Sequence, residues 1–426
     1  MFTTDSATLN ITAELLGLPN IAVTDVRVDK AIRKIIIKVK STQEMIPCRE
    51  CGKPTQGHGL GRPLQFRHLP MFGQETMIEI TPRRGRCEHC DGNPTTTEKS
   101  EWYNENSKFT KAYEQHLLFE LVNSTMADVS RKADVDYHVI EDLVNRYIET
   151  EIDYSIIKAL GVLGMDEISL KKGYQDFVTL ITYRIHEKVH ILGIVKGREK
   201  ADIIAFLRQI PLDLQKTIQA ICCDMYDGYM NACKEVFKDK IPIIADRFHV
   251  RKLYGKSLIQ LRKAELKRLK KELTPEAYAA LKPAIALLRK LKDYFTEEEK
   301  PMVETLFSLS PKLKLAYQFS HDLSGIFDSH ITPEQAKEKM TEWVAEVSQS
   351  KLKCFNQFIK TLVKYQEPIS RYFIQRHNSG FVEGFNNKVK VLKRRCYGLS
   401  SAPKLFQRLI VDTLGLERFA PHVVAF

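Results

Sequence analysis

Residues 21–28 and 33–40 are two β-rich runs on either side of a polar turn at Asp29 and Lys30, which predicts a hairpin. The two-residue alternation returns at 64–69 and 75–81. From Ser107 the apolar spacing lengthens to that of helices. Residues 109–122 read as one helix. In the stretch that starts at Met126, Val129, Ala133, Val135, Ile140 and Leu143 fit two helices joined at Asp134, the second over about 136–147. At Gly161 the pattern changes again. Three β-rich runs, VLGMDEIS, QDFVTLITYRI and KVHILGIVK, are followed by a helix over about 199–209. Next come the strand IQAICCD ending at Asp224, a helix over 227–237 and the strand IPIIAD ending at Asp246. Residues 250–373 read as helices only, with boundaries at Thr274–Pro275, Ser310–Pro311 and Thr332–Pro333, where a hydroxyl can cap and proline suits the first turn.

The order β-β-β-α-β-α-β is that of the ribonuclease H-like fold, a mixed sheet with helices on its faces, here interrupted by a long helical segment. A different chemistry is written ahead of it. Four of the nine cysteines form two C-x-x-C pairs, Cys48/Cys51 and Cys87/Cys90. Two thiolates three residues apart on a tight knuckle can share one ion, and two knuckles complete a tetrahedron, so the pairs predict one structural Zn²⁺. His58, His68 and His89 are spare ligands expected at the surface. The span between the pairs is expected to be a β-meander through 64–69 and 75–81, giving a small zinc-stapled β unit with little core of its own.

Composition narrows the classes. The chain carries 65 Lys+Arg against 53 Asp+Glu, a net charge of +12, which fits a polyanion partner. With 43% hydrophobic residues there is material for a packed core. The longest apolar runs, such as 203–207 and 241–245, fall far short of the ~20 residues that cross a bilayer. The N-terminus lacks a signal pattern, so a cytoplasmic protein is expected.

Asp166 and Asp224 each follow a buried apolar run. If those strands are neighbours, the two carboxylates meet, and a hard divalent cation is their natural occupant. For two isolated aspartates a cap or surface role would be the simpler reading. The segment from His377 to Leu399 shifts the balance. As a helix from about Phe381 it carries an apolar stripe of Phe381, Phe385, Val389 and Leu392. A second face holds Glu383, Asn387, Lys390 and Arg394, a set suited to a metal ligand beside a phosphate backbone. Lys388, Lys393 and Arg395 add charge nearby. The helix after Asp134 carries Tyr137 and His138 in its first turn, candidates for DNA contact. Glu141 and Asp142 on the same helix weaken a groove-reading role.

Together these pieces resemble bacterial insertion-sequence transposases of the DDE class, specifically the ISL-three group. The resemblance rests on the double C-x-x-C unit, the helix-turn-helix, GMDE from Gly164, CDMYDGY from Cys223, ADRFHV from Ala245 and SGFVEGFNNKVKVLKRRCYG from Ser379. It implies that Asp166, Asp224 and Glu383 are the catalytic triad, holding two Mg²⁺ ions or Mn²⁺ in their place, with Asp227 and Asp246 as rivals to Asp224. It implies Asn387, Lys390, Lys393, Arg394 and Arg395 as support or DNA-contacting residues. The implied organisation is multidomain: a zinc-binding β domain (1–104), a helix-turn-helix domain (105–155), a ribonuclease H-like core (156–252 and 374–415) and an all-helical insertion (253–373). The implied activity is metal-dependent cleavage and strand transfer by in-line phosphoryl transfer, on terminal inverted repeats and target DNA, by a homodimer assembled on DNA and without a membrane. Two other readings stand beside it: a transposase-derived DNA-binding regulator without activity, and a structure-specific nuclease on the same fold.

Overall fold

The computed structural model describes residues 6–150, 152–170, 177–238, 240–288, 290, 294–377, 380–397, 399 and 401–419. The ends of two expected segments, Gln175–Asp176 and Ser379 with Gly398, lie outside the described residues. The chain divides into two compact units, residues 1–149 with 410–426 and residues 150–409.

In the first unit, α1 (Ser6–Leu16) precedes the expected hairpin of β1 (Ile21–Asp29) and β2 (Lys34–Ser41). Its turn is closed by the Asp29 carboxylate, which accepts from the amides of Ala31 and Ile32 at 3.0 and 3.3 Å. β3 (Gln56–Leu60), β4 (Leu64–Met71), β5 (Gln74–Ile80), β6 (Arg83–Arg86) and β7 (Thr95–Thr97) follow. They form two sheets, ordered β1-β2-β5-β4 and β3-β6-β7. The runs at 64–69 and 75–81 are the antiparallel pair β4 and β5, but the meander does not extend to β3 and β6, which pair with each other in the second sheet. β5 pairs parallel with β2 and so joins the hairpin sheet. That sheet has a core of its own, against expectation: Ile37 and Ile78 are fully buried among Val39, Phe66, Ile80 and Trp102. The Phe66 ring stacks on Tyr103 at 4.3 Å and meets Trp102 edge-on at 5.3 Å. Burial of these β-branched and aromatic side chains stabilises the unit independently of any metal.

Three helices complete this unit: α2 (Lys111–Glu120), α3 (Met126–Ala133) and α4 (Tyr137–Tyr147). Thr110, Thr125 and Asp136 cap them by accepting amides one turn in. Between α3 and α4, Asp134 takes the left-handed conformation (φ 49°, ψ 57°) that the sharp turn requires. Val129, Ile140, Leu143 and Val144 are buried on the inner faces. The fully buried Glu114 of α2 ties the unit together. Its carboxylate accepts from Arg146 Nη1 at 2.7 Å, Tyr147 Oη at 2.6 Å, Ser107 Oγ at 2.7 Å and Asn104 Nδ2 at 2.6 Å.

The second unit opens with β8 (Gly161–Ser169), β9 (Phe177–Ile185), β10 (Lys188–Lys196), α5 (Lys200–Gln209), the short α6 (Leu212–Gln215), β11 (Ile218–Cys223), α7 (Asp227–Phe237) and β12 (Ile243–Ala245). The five strands make one mixed sheet ordered β10-β9-β8-β11-β12. β8, β9 and β10 are antiparallel neighbours, and β11 lies parallel to both β8 and β12. The buried central strands read as apolar runs because both faces are covered. Helices α8 (Arg247–Glu272), α9 (Pro275–Ala280), α10 (Lys282–Leu287), α11 (Glu299–Leu309), α12 (Pro311–Asp328), α13 (Pro333–Gln349), α14 (Asn356–Lys364), α15 (Gln366–Ser370) and α16 (Tyr372–Gln375) fill the segment expected to be all helical. Thr274, Ser310 and Thr332 cap α9, α12 and α13 with proline in the first turn, as their sequence signals predict. One continuous core runs from sheet residues such as Leu163 and Ile221 into Leu323, Met340, Trp343 and Phe355 of the helical segment. The segment is therefore packed into the unit. α17 (Gly380–Arg395) and α18 (Ala402–Phe419) follow. Residues from 410 group with the first unit, where the Asp412 carboxylate accepts the Asn123 amide at 3.1 Å. Among the described residues no helix is long and apolar enough to cross a membrane.

Candidate active site and metal centre

The four knuckle thiols converge. All Sγ atoms of Cys48, Cys51, Cys87 and Cys90 lie within 4.8 Å of one another, and no other such cluster of three or more candidate ligands exists among the described residues. Cys51 and Cys87 are 3.7 Å apart, and Cys48 and Cys90 4.0 Å. A tetrahedron with Zn–S bonds of about 2.3 Å has edges of about 3.8 Å, so this cage fits the ion. Each knuckle turns at a left-handed glycine, Gly52 (φ 72°) and Gly92 (φ 76°). Amides already point at sulfur, Glu50 N to Cys48 Sγ at 3.4 Å and His89 N to Cys87 Sγ at 3.3 Å. The backbone amides of Cys51 and Glu50 lower the Cys48 thiol to about 7, while contact with Cys51, burial and the other thiols push Cys90 up. Four crowded thiols cannot all ionise without a cation. His58 and His89 are exposed, as expected. His68 is not. It is buried, its Nδ1 lies 2.9 Å from Thr110 Oγ1, and burial lowers it to about 4.

The second site lies where β8 outruns its neighbour. Asp166 does not end its strand, as expected, but sits inside β8, paired with Leu180 of β9. On the other side β11 stops at Cys223, which lies opposite Met165, so Asp224 comes level with Asp166 as the chain turns away. Cys223 also pairs with Ala245 of β12, which brings Asp246 to the same level. Neighbouring strands are about 4.8 Å apart, so the three aspartates line one edge of the sheet. Their settings differ. Asp246 is 2% exposed, caps α8 through the Phe248 amide at 3.0 Å and lies 3.0 Å from His249 Nδ1. Asp224 is half-buried and its Oδ1 is 4.0 Å from the same His249 nitrogen. Asp227 is held elsewhere, accepting from Lys364 and from Tyr365 Oη, the latter at 2.7 Å. Burial raises Asp166 above the usual carboxylate range, and the negative charges of Asp224 and Asp246 add to this against the opposing pull of the Glu167 amide and His249. For His249 burial disfavours the charged form, but the Asp246 bond and the three aspartates outweigh it and raise the group. Three carboxylates at one edge of a sheet, with no lysine or arginine paired to Asp166 among the described residues, are a donor set suited to a hard cation.

α17 packs beside this edge of the sheet. Its buried face is Val382, Phe385, Asn386, Val389 and Leu392; Phe381 is half-buried, with the Arg184 guanidinium over its ring at 4.8 Å. The helix can approach because residue 164 is glycine. A Cβ there would meet Val382 Cγ2 at 2.2 Å and Phe381 Cε2 at 3.0 Å. Asn386 Nδ2 donates to Asp166 Oδ2. Glu383, half-buried, lies one turn before Asn386, and residues three apart on a helix have Cβ atoms about 5–6 Å apart. Asp166 and Asp224 thus meet at one corner of the sheet, and Glu383 lies one helical turn before the Asn386 that reaches Asp166; these three acids form no close cluster of candidate metal ligands among the described residues. Asn387, Lys390 and Arg394 are exposed on the outer face of α17 as expected. Lys393 instead donates to the Ser169 carbonyl at the end of β8, and Arg395 is half-buried. Tyr137 and His138 are exposed on the first turn of α4, their rings edge-on at 5.7 Å. Two residues of the corner were not singled out by sequence reasoning. Asn386 is the polar member of an otherwise apolar stripe, a legible signal. His249 lies one turn into the helix that Asp246 caps.

Comparison with known proteins decides the family. Residues 163–409, more than half of the chain, match the ISL3-type DDE domain family described as "Transposase". The chain belongs to the ISL3 transposase family. Residues 44–90, which hold both knuckles, match the family's "zinc-finger of transposase IS204/IS1001/IS1096/IS1165", so the N-terminal unit of this family member contains a zinc ribbon. The chain is similar to the transposase for insertion sequence element IS1001 of Bordetella parapertussis, 25% identical over 88% of this chain and 91% of that one. It is also similar to the transposase for insertion sequence element IS1557 of Mycobacterium tuberculosis, 20% identical over 90% of this chain and 89% of that one.

Proposed function

We propose that the second unit is a ribonuclease H-like catalytic core with a helical insertion, and that it cuts and rejoins DNA at the ends of an insertion sequence. The observation that carries this reading is the register of β8 and β11. It sets Asp166 and Asp224 side by side, where Asn386 of α17 reaches Asp166; Glu383 precedes Asn386 by one turn of that helix, which supports assigning it as the third acid. Asp166, Asp224 and Glu383 would hold two Mg²⁺ ions, or Mn²⁺ in their place, which when bound supply the positive charge that activates water and stabilises the leaving oxygen of a phosphodiester. Asn386 orients the Asp166 carboxylate. His249 holds Asp224 and Asp246 apart in charge by standing between them. The exposed Asn387, Lys390 and Arg394 face a phosphate backbone. The reaction is in-line phosphoryl transfer, in which the protein positions the scissile bond and a freed 3′-hydroxyl then attacks target DNA.

In the first unit, α3 and α4 with the left-handed Asp134 between them are read as a helix-turn-helix, with Tyr137 and His138 at the DNA-facing end and the zinc ribbon beside it in sequence. We assign binding of the terminal inverted repeats to these two modules, and a homodimer when two ends are joined. The test is cleavage of a terminal-repeat duplex with Mg²⁺. Asp166→Asn, Asp224→Asn and Glu383→Gln should each lose cutting by at least a hundredfold and keep duplex binding. Near-normal cutting by any one variant removes that residue from the triad. Wild-type protein that binds repeats but never cuts them would instead be a regulator.

A further inference from the structure

A groove of about 580 Å³ opens from Asp224 along α8 and α14. Lys252 and Lys256 line one wall and Lys360 and Lys364 the other, each pair one helical turn apart, with Lys364 paired to Asp227. We propose that this groove carries the backbone of one unpaired DNA strand to the reacting phosphate, so that the helical segment serves as a strand guide. The inference rests on the transposase reading and adds to it a binding surface that this reading does not contain.

Four observations carry it. The first is charge without neutralisation. Lys252, Lys256 and Lys360 are exposed and form no ion pair among the described residues. Like charges one turn apart on a helix repel, and here three such lysines from two helices converge on one groove, an arrangement that a bound anion would relieve. The second is spacing. Lysines four residues apart stand about 6 Å apart along the axis, close to the separation of successive phosphates in an extended strand. The third is size. The volume lies within the range of clefts that enclose one small ligand, about 300–1,000 Å³. That is room for a short stretch of one strand and not for a duplex. The fourth is direction. Asp224 lies at the groove, so a strand in it leads to the catalytic corner, which an acidic peptide has no reason to do.

The test uses the full chain and the labelled terminal repeat of its own element, as a flush duplex and as the same duplex with a five-nucleotide single-stranded extension on one strand or the other. Binding is followed by fluorescence anisotropy from 50 to 200 mM KCl. An extension on one of the two strands should tighten binding. Three phosphate contacts add about 2 to the salt slope, so the advantage should fall about 20-fold over that range. In Lys252→Ala/Lys256→Ala/Lys360→Ala the advantage and its extra slope should vanish while flush-duplex binding stays. The triple Lys→Arg variant should restore both, which separates charge from fold. A 4-thiothymidine in the extension should cross-link to peptides of α8 or α14. The proposal is overturned if neither extension helps the wild type, or if the triple alanine variant keeps the benefit. Failure of the transposase reading looks different: no preference for the flush terminal repeat and no loss of cutting in Asp166→Asn.

Discussion

Gly164→Ala tests the geometry of the catalytic corner with a single methyl group. The added Cβ would stand 2.2 Å from Val382 Cγ2, 2.9 Å from Thr182 Oγ1 and 3.0 Å from Phe381 Cε2. Carbon atoms rest at about 3.5–4.0 Å, so Val382 must retreat by more than about 1 Å. It cannot do so by rotating, because a β-branched side chain in a helix has essentially one rotamer, and Val382 is buried. α17 must move instead. Asn386 lies one turn further on the same face, so its bond to Asp166 stretches or breaks and Glu383 shifts with it. Overpacking costs about 1–3 kcal/mol, against about 0.5–1 kcal/mol that alanine regains over glycine in a strand. We expect a net loss of about 1–2 kcal/mol. A misplacement of about 1 Å at a reacting centre lowers turnover about 100-fold. Stability is read from urea unfolding followed by Trp343, which is buried in the core of the second unit, in a Trp102→Phe background. Activity is read from terminal-repeat cleavage. Adding Val382→Ala restores room, so the double variant should be at least about 1 kcal/mol less destabilised than the sum of the singles. Stability within about 0.5 kcal/mol of wild type together with cutting within threefold would refute the close-approach argument.

The remaining predictions concern the first unit. Cys48→Ser should lower bound zinc, counted by metal analysis, from one ion per chain to none and lower the unfolding midpoint read by Trp102, but the core around Ile37 and Phe66 should preserve the β-sheet circular dichroism at low temperature; retention of zinc by the variant would contradict the four-thiolate cage. His68 titrates near 6.5 in the unfolded chain and near 4 in the folded one, so acid favours unfolding between those values. Wild type should lose about 2.5 kcal/mol relative to His68→Gln between pH 7.5 and 4.5, measured by Trp102 fluorescence in a Trp343→Phe background; an unchanged difference would mean that His68 is not buried neutral. Arg146→Ala leaves the Glu114 carboxylate buried without its cation, and because Arg146 keeps 40% exposure the loss should be near the low end for broken buried pairs, about 3 kcal/mol by the same unfolding measurement. A loss under about 1 kcal/mol would show that Tyr147, Ser107 and Asn104 suffice to hold that charge.

Much of this protein was legible along the chain because its signals are local. The period-two runs at 21–28 and 33–40, the Thr-Pro and Ser-Pro caps, the left-handed turn at Asp134 and the two cysteine knuckles each depend on neighbours within about one turn or one hairpin, and each formed as its residues dictate. The apolar stripe of α17 was also legible, but one-residue resolution was not. Asn387 and Asn386 differ by about 100° around a helix, and only packing against β8 at Gly164 selects Asn386 to reach Asp166. Partners distant in sequence were beyond local reading. The runs at 64–69 and 75–81 pair with each other as neighbours in sequence would, but the parallel match of β5 with β2, which joins them to the hairpin, is set by a shared apolar face. His68 looked like a surface histidine because its burial comes from α1 and Thr110, not from its own strand. The four groove lysines sit on helices about a hundred residues apart, so no spacing rule joins them. Sequence fixes which segments are helix or strand through short-range sterics and hydrogen bonds. Which carboxylate faces which, and which charges stay unpaired, follow from long-range packing alone.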